Sequence, residues 1–241
     1  NCKRVAKLQI ETSRVMTQPE WRVYADAEAL VAALADALCA EAEAAIAVRG
    51  VFHLVLAGGS TPRALYRALA DRNVGDARWH VWYGDERCLP ADHPERNSVM
   101  AETSWLAASR IPSENRRPIP AELGTAEAAA RYADWLKAVA KFDVVLLGIG
   151  EDGHTASLFT GHDWGDAPGS PDVLAVLDAP KPPPERVSLS AARLNRSRRV
   201  WFVVTGAGKR EALLQWKRGE KLPVSVVRGR SETVAWLDQA A

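Results

Sequence analysis

A lone histidine occupies a glycine-rich stretch that directly follows an apolar run. His154 comes two residues after Asp152 within residues 148–159, GIGEDGHTASLF, and the apolar run covers residues 142–147. A neutral imidazole can take a proton from water near pH 7, and a nearby carboxylate can fix its tautomer. Because no second histidine stands at metal-ligand spacing, the pair suits proton transfer better than coordination. The alternative is a structural histidine at a helix start, satisfied by backbone groups.

Two hydroxyl side chains, Thr155 and Ser157, lie close to His154 in the sequence. The G-x-S-x-G turn that exposes a serine for attack does not occur here, so water activation is favoured over covalent catalysis. We expect the pKa of His154 to lie near its ordinary value of about 6.5, because Asp152 and partial burial act in opposite directions.

A second glycine turn, AGGSTP, follows the apolar run of residues 51–57. It contains Gly58, Gly59, Ser60 and Thr61. The glycines permit backbone paths that a side chain would block, and the free N–H groups of the following helix start suit a phosphate. The alternative is a tight strand-to-helix turn that Thr61 caps.

Cations mark two further loops. Arg87 stands in GDERCLPADHPERNS, where its guanidinium could clamp a phosphate or carboxylate through two parallel hydrogen bonds. The alternative is that the charged residues of this loop form an intraloop salt bridge or a cap network. Lys209 stands in TGAGK at the start of a helical segment, either as a second phosphate contact or as a solvated lysine. The basic residues Arg186, Arg193, Arg196, Arg198 and Arg199 lack interleaved aromatic residues, and we interpret them as mostly a solvated face.

These loops belong to a regular pattern of elements. Residues 26–48 repeat apolar positions at helical spacing, and Gly50 follows as a stop. Four units of apolar strand, loop and helix then predict a parallel sheet covered by helices, with the proline-rich residues 163–185 as a surface excursion. Ligands of such sheets bind at the carboxyl ends of the strands, so the four loops should converge on one crevice.

Composition limits the class of protein. Hydrophobic residues make up 47% of the 241, enough for a sizeable core, and 31 Lys and Arg balance 30 Asp and Glu, which disfavours nucleic acid or an anionic membrane as partner. Three cysteines without metal-ligand spacing and the lack of an apolar run of about 20 residues favour a soluble protein of the reducing cytoplasm. We expect residues 1–15 to be a tag or N-terminal extension and residues 16–241 to form a single domain.

Taken together, AGGSTP, GDERCLPADHPERNS, GIGEDGHTASLF and TGAGK closely resemble the 6-phosphogluconolactonase family, over about residues 21–237. The resemblance implies a three-layer α/β/α sandwich with a mostly parallel, Rossmann-like sheet. It also implies hydrolysis of 6-phospho-D-glucono-1,5-lactone in the pentose phosphate pathway, without metal or organic cofactor. The implied roles are His154 as base, Asp152 as its neighbour, and Ser60, Thr61, Arg87 and Lys209 as substrate or phosphate contacts. The expected partner is the small sugar-phosphate lactone, and the expected assembly is a monomer or weak homo-oligomer.

Two other functions stay open at this level. Glucosamine-6-phosphate deaminases of the same superfamily share the Gly-Ser-Thr-Pro turn and the G-x-G-x-D-G-H core, but they resemble H-I-A-F-N-E-P after the histidine. Phe159 stands here in place of their glutamate, which argues against an isomerase or deaminase. The second alternative is a non-catalytic sugar-phosphate sensor, against which the intact His154 weighs.

Overall fold

The centre of the fold is a six-stranded parallel sheet in a computed structural model that describes residues 18–241. The expected tag or extension of residues 1–15 lies outside the described residues. The strands are β1 Glu20–Tyr24, β2 Phe52–Leu56, β3 Trp79–Tyr83, β4 Asp85–Arg87, β5 Val144–Leu147, β6 Val173–Val176, β7 Arg186–Leu189, β8 Arg199–Val204 and β9 Glu232–Asp238. The sheet has the order β1-β9-β8-β5-β2-β3, and every neighbouring pair is parallel.

Helices flank this sheet and complete the predicted three-layer α/β/α sandwich. They are α1 Ala27–Arg49, α2 Ser60–Asp71, α3 Asn97–Ser104, α4 Thr125–Leu136, α5 Ala191–Leu194, α6 Arg210–Lys217 and α7 Pro223–Val226. The predicted long helix is confirmed in α1. Asp26 caps its start by accepting from the backbone N–H of Ala29, and Gly50 ends it with a φ of 78° that an L side chain rarely adopts.

Two neighbouring strands, β2 and β5, place the site because their carboxyl ends lie side by side. All four residues of β5 are buried, as are Leu54, Val55 and Leu56 of β2. Helices cover both faces of a parallel sheet, and its strands are therefore apolar on both sides. This explains why the two strands are short apolar runs in the sequence, interrupted only by the half-buried His53 of β2.

Two predictions about the chain after β5 are wrong. This part of the chain contributes to a second, three-stranded antiparallel sheet of order β4-β7-β6. The chain after β5 does not enter a helix but forms a loop with a bridge between Thr155 and Leu158, so the helix-start alternative for His154 is wrong. The predicted surface excursion of residues 163–185 contains β6, whose Val173 and Val176 are buried. These two side chains point to opposite faces of the strand and pack in different apolar clusters, so apolar contacts on both faces of β6 outweigh the surrounding prolines.

The prediction of a mostly solvated arginine face is wrong for its most buried members. Arg193 is fully buried, with its guanidinium 3.9 Å from the Phe142 ring centroid and a hydrogen bond of 2.9 Å to the Val139 carbonyl. Arg186 is 5% exposed. The aromatic ring and carbonyl that receive Arg193 come from a distant segment, which the local charge pattern does not reveal.

Within residues 18–241, no helix is long and apolar enough to cross a membrane.

Candidate active site

A cavity of about 190 Å³ opens at the carboxyl ends of the parallel strands. Loops that follow β2, β3, β5 and β8 all contribute to it, which confirms the predicted convergence. The residues that line it are Leu56, Ala57, Gly58, Gly59, Gly84, Asp85, Arg87, Asn97, Leu147, Gly148, Ile149, Gly150, His154, Ala156, Lys181, Arg186 and Lys209.

His154 and Asp152 form a hydrogen-bonded pair at this cavity. The Nδ1 atom of the imidazole lies 2.5 Å from Oδ1 of the carboxylate, and the side chains are 17% and 39% exposed. An ionised carboxylate only accepts hydrogen bonds, so the shared proton belongs on Nδ1 and the lone pair on Nε2. The pair therefore has the tautomer that a general base requires.

A glycine and an aromatic ring hold the imidazole in place. A Cβ atom added at Gly150 would lie 1.9 Å from Nδ1 of His154 and 2.5 Å from Oδ1 of Asp152. The Gly150 N–H donates to the His154 carbonyl at 2.8 Å, and the buried Phe159 ring lies 4.7 Å from the imidazole between centroids. The pair thus depends on the absence of a side chain at Gly150.

Burial lowers the pKa of His154, and this effect outweighs the hydrogen bond and charge of Asp152, which raise it. The expectation of an ordinary pKa is therefore wrong. Burial also raises the pKa of Asp152, but the hydrogen bond and charge of His154 reverse the sign and leave it below its usual range. Near neutral pH the pair is a neutral imidazole beside a carboxylate.

The two acids before Arg87 serve the fold rather than its guanidinium. Glu86 is fully buried and accepts backbone N–H groups from Arg87, Asn97 and Ser98 at 2.8–3.0 Å, which caps the start of α3. Asp85 accepts from Oγ of Ser157 at 2.6 Å and from the amide of Asn97 at 3.1 Å. The Arg87 guanidinium instead donates to the Glu95 carbonyl at 2.5 Å and lines the cavity. The salt-bridge alternative for Arg87 is therefore wrong.

The hydroxyl groups near His154 are already occupied. Ser157 is 2% exposed and donates to Asp85, while Thr155 is 1% exposed and donates to the Gly148 carbonyl at 2.8 Å. Neither hydroxyl is poised to attack a substrate, which favours water as the nucleophile.

The AGGSTP turn contributes its backbone to the cavity. Gly58 and Gly59 line it, and Gly59 is the N-cap of α2 without a side-chain cap bond, so Thr61 does not cap the helix. The Thr61 hydroxyl instead lies 2.7 Å from the Thr205 hydroxyl. Ser60 and Thr61 are not among the lining residues, and their role as substrate contacts stays a prediction.

Four cations line the cavity, two of which were not predicted. Arg87 and Lys209 are joined by Lys181 and Arg186, while Asp85 is the carboxylate among the lining residues. This surplus of positive charge favours an anionic ligand. The KPPPER segment offered a signal, since a lysine and an arginine flank rigid prolines, but nothing local shows that it folds over the site. Among residues 18–241 no cluster of three or more His, Cys, Asp or Glu side chains has a metal-binding arrangement.

Comparisons with known proteins agree with this geometry. The family model described as glucosamine-6-phosphate isomerases/6-phosphogluconolactonase matches residues 25–236. The chain is 39% identical to a 6-phosphogluconolactonase of a Nostoc species, over 80% of this chain and 82% of that protein. It is 36% identical to the 6-phosphogluconolactonase of Mycobacterium tuberculosis, over 91% and 95%. The crystal structure of 6-phosphogluconolactonase from Thermotoga maritima superposes with a TM-score of 0.85 at 27% identity, over 92% of this chain and 100% of that one. The chain therefore belongs to the glucosamine-6-phosphate isomerase/6-phosphogluconolactonase family.

Proposed function

We propose that the protein is a 6-phosphogluconolactonase, which hydrolyses 6-phospho-D-glucono-1,5-lactone to 6-phospho-D-gluconate in the oxidative pentose phosphate pathway. The observation that carries the proposal is the His154–Asp152 pair beside a cavity lined by four cations. The names of the curated relatives support the same activity.

The proposed reaction needs one base and a source of positive charge. Nε2 of His154 takes a proton from water, and the water oxygen bonds to the lactone carbonyl carbon. The carbonyl electron pair moves onto its oxygen. When the carbonyl re-forms, the bond to the ring oxygen breaks, and protonated His154 returns the proton to that oxygen. The product is the open-chain acid, and the proposed step uses neither a metal nor an organic cofactor.

The phosphate of the substrate is proposed to bind cavity groups other than the His154–Asp152 pair. The N–H groups at the start of α2, next to Gly58 and Gly59, meet the requirements of an anion site, and Lys209 follows β8 on the neighbouring side of β5. Arg87 adds a guanidinium fork. Ser60 and Thr61 stay proposed contacts on the same turn.

We also propose a domain organisation, a cellular compartment and an oligomeric state for the enzyme. Residues 16–241 form a single 6-phosphogluconolactonase domain that acts in the cytoplasm as a monomer or weak homo-oligomer.

The direct test is acid release from freshly generated 6-phosphogluconolactone, followed against its spontaneous hydrolysis. Purified protein should accelerate acid release in proportion to its concentration. A parallel reaction with glucosamine 6-phosphate, followed by ammonia release, should stay at background. Acceleration of the second reaction without the first would assign the protein to the deaminase branch, and acceleration of neither would leave a sugar-phosphate sensor.

The pH profile of kcat/KM provides a separate prediction. His154 is active when neutral, and burial places its pKa below the ordinary value of about 6.5. The midpoint of the fall in activity on the acid side should therefore lie below about pH 6.5. The measurement is enzymatic acid release at each pH after subtraction of the spontaneous rate. A half-maximal point above about pH 7 would contradict a buried, neutral base.

A further inference from the structure

The loop between β6 and β7 carries Lys181 to the cavity, and one buried guanidinium fixes this loop. Arg186 is 5% exposed and donates from Nε to the Pro183 carbonyl at 3.0 Å. Its Nη2 atom donates to the carbonyls of Lys181 at 2.9 Å and Pro182 at 3.2 Å. Three consecutive carbonyls are thus bound to one side chain, which sets the backbone from which Lys181 projects.

The same guanidinium packs against the ring of Phe159, which in turn packs against the imidazole of His154. It lies 5.4 Å from the centroid of the Phe159 ring, and that ring lies 4.7 Å from the His154 imidazole. Phe159 is fully buried, so it is a rigid spacer between the two. Phe159 therefore helps to position two groups, namely the imidazole of His154 and, through Arg186, the backbone of Lys181.

The lysines of the cavity lie on different elements. Lys209 follows β8 in the parallel sheet and lines the cavity together with Gly58 and Gly59, whereas Lys181 comes from the loop between two strands of the antiparallel sheet. The side chains of Lys181 and His154 line the same cavity, and the charge of Lys181 adds to burial in lowering the pKa of His154. A cation there faces the position at which negative charge develops when water adds to the lactone.

We propose that Lys181 is a catalytic residue that binds the lactone carbonyl oxygen and stabilises the oxyanion formed when water adds beside His154, with Arg186 as its positioning residue. This inference rests on the proposed lactonase activity. In the step, the carbonyl electron pair moves onto the oxygen that Lys181 contacts, and the water proton moves to His154. The pair returns to re-form the carbonyl as the ring C–O bond breaks.

Lys181→Met tests the inference because it keeps the length of the side chain and removes its charge. Its expected effect is a fall in kcat of about 10²-fold, the usual result of removing one oxyanion donor, with KM changed by less than about threefold. Inorganic phosphate, used as a competitive inhibitor, should bind the variant as it binds the wild type. The same substitution at the phosphate end, Lys209→Met, should instead raise the phosphate inhibition constant about tenfold.

Two further readouts separate catalysis from structure. Without the cation near His154, the acidic limb of kcat/KM in Lys181→Met should move to higher pH, a change that general loss of folding does not produce. Lys137→Met is the matched control, since Lys137 is exposed and pairs with Asp134 on α4 away from the cavity lining, and it should keep wild-type kinetics.

Lys181→Met with wild-type kcat, or with weakened phosphate inhibition and unchanged kcat, would overturn the role of Lys181 while leaving the lactonase activity intact. A wild-type protein that does not accelerate lactone hydrolysis in the same assay would overturn both.

Discussion

His154→Gln should lower kcat for lactone hydrolysis by about 10²-fold or more, because general acid–base catalysis commonly contributes 10² to 10⁴. Glutamine keeps much of the size and hydrogen bonding of histidine but cannot accept a proton near pH 7. Binding of 6-phosphogluconate should change little, since the proposed phosphate contacts lie on other loops of the cavity. The measurement is kcat from acid release together with the dissociation constant of 6-phosphogluconate.

His80→Gln provides the matched control for this prediction. His80 lies on β3 outside the cavity lining, where its ring is tilted by 40° against that of His53 at 5.0 Å between centroids. This variant should hydrolyse the lactone at the wild-type rate. If His154→Gln did the same, the base would be another group and His154 would be a structural residue.

Gly150→Ala should abolish most of the activity although it removes no reacting group. The added Cβ would lie 1.9 Å from Nδ1 of His154, far inside van der Waals contact, so the imidazole and Asp152 must move. A displacement of about 1 Å at a catalytic group is sufficient to cost about 10²-fold in rate. The expected result is a fall in kcat similar to that of His154→Gln, measured in the same assay.

Gly148→Ala is the comparison variant, because a Cβ there meets no heavy atom of the described residues within 4 Å. It adds the same methyl group at the cavity wall while the His154–Asp152 pair keeps its geometry, so its kcat should exceed that of Gly150→Ala by at least tenfold. Thermal unfolding of both variants reports on the fold. Equal kcat values in the two variants would show that contact with His154 is not what makes Gly150 necessary.

The main sheet and the meeting of its loops were predictable because each signal is local. β2 and β5 are mostly apolar runs, a glycine turn follows each of them, and Asp26 and Gly50 mark the ends of α1. A parallel sheet brings the carboxyl ends of its strands to one edge, so the crevice followed from the pattern.

The second sheet and the charged side chains around it were not predictable in this way. Residue Glu86 looks like a partner for Arg87 in the sequence, yet the N–H groups of α3 bind it at 2.8 Å. Lys181 reaches the cavity through the contacts of Arg186 with backbone carbonyls, which no side-chain pattern encodes. The direction of the His154 pKa also required the structure, because burial and a neighbouring carboxylate act in opposite directions and the extent of burial is a tertiary property.

The position of 6-phosphogluconate in a crystal structure of the complex tests the proposed lactonase site most directly. We expect its phosphate between the turn of Gly58 and Gly59 and the ammonium of Lys209, with its carboxylate carbon beside Nε2 of His154. Phosphate bound instead at the arginine run of residues 193–199, or a carboxylate out of reach of His154, would contradict it.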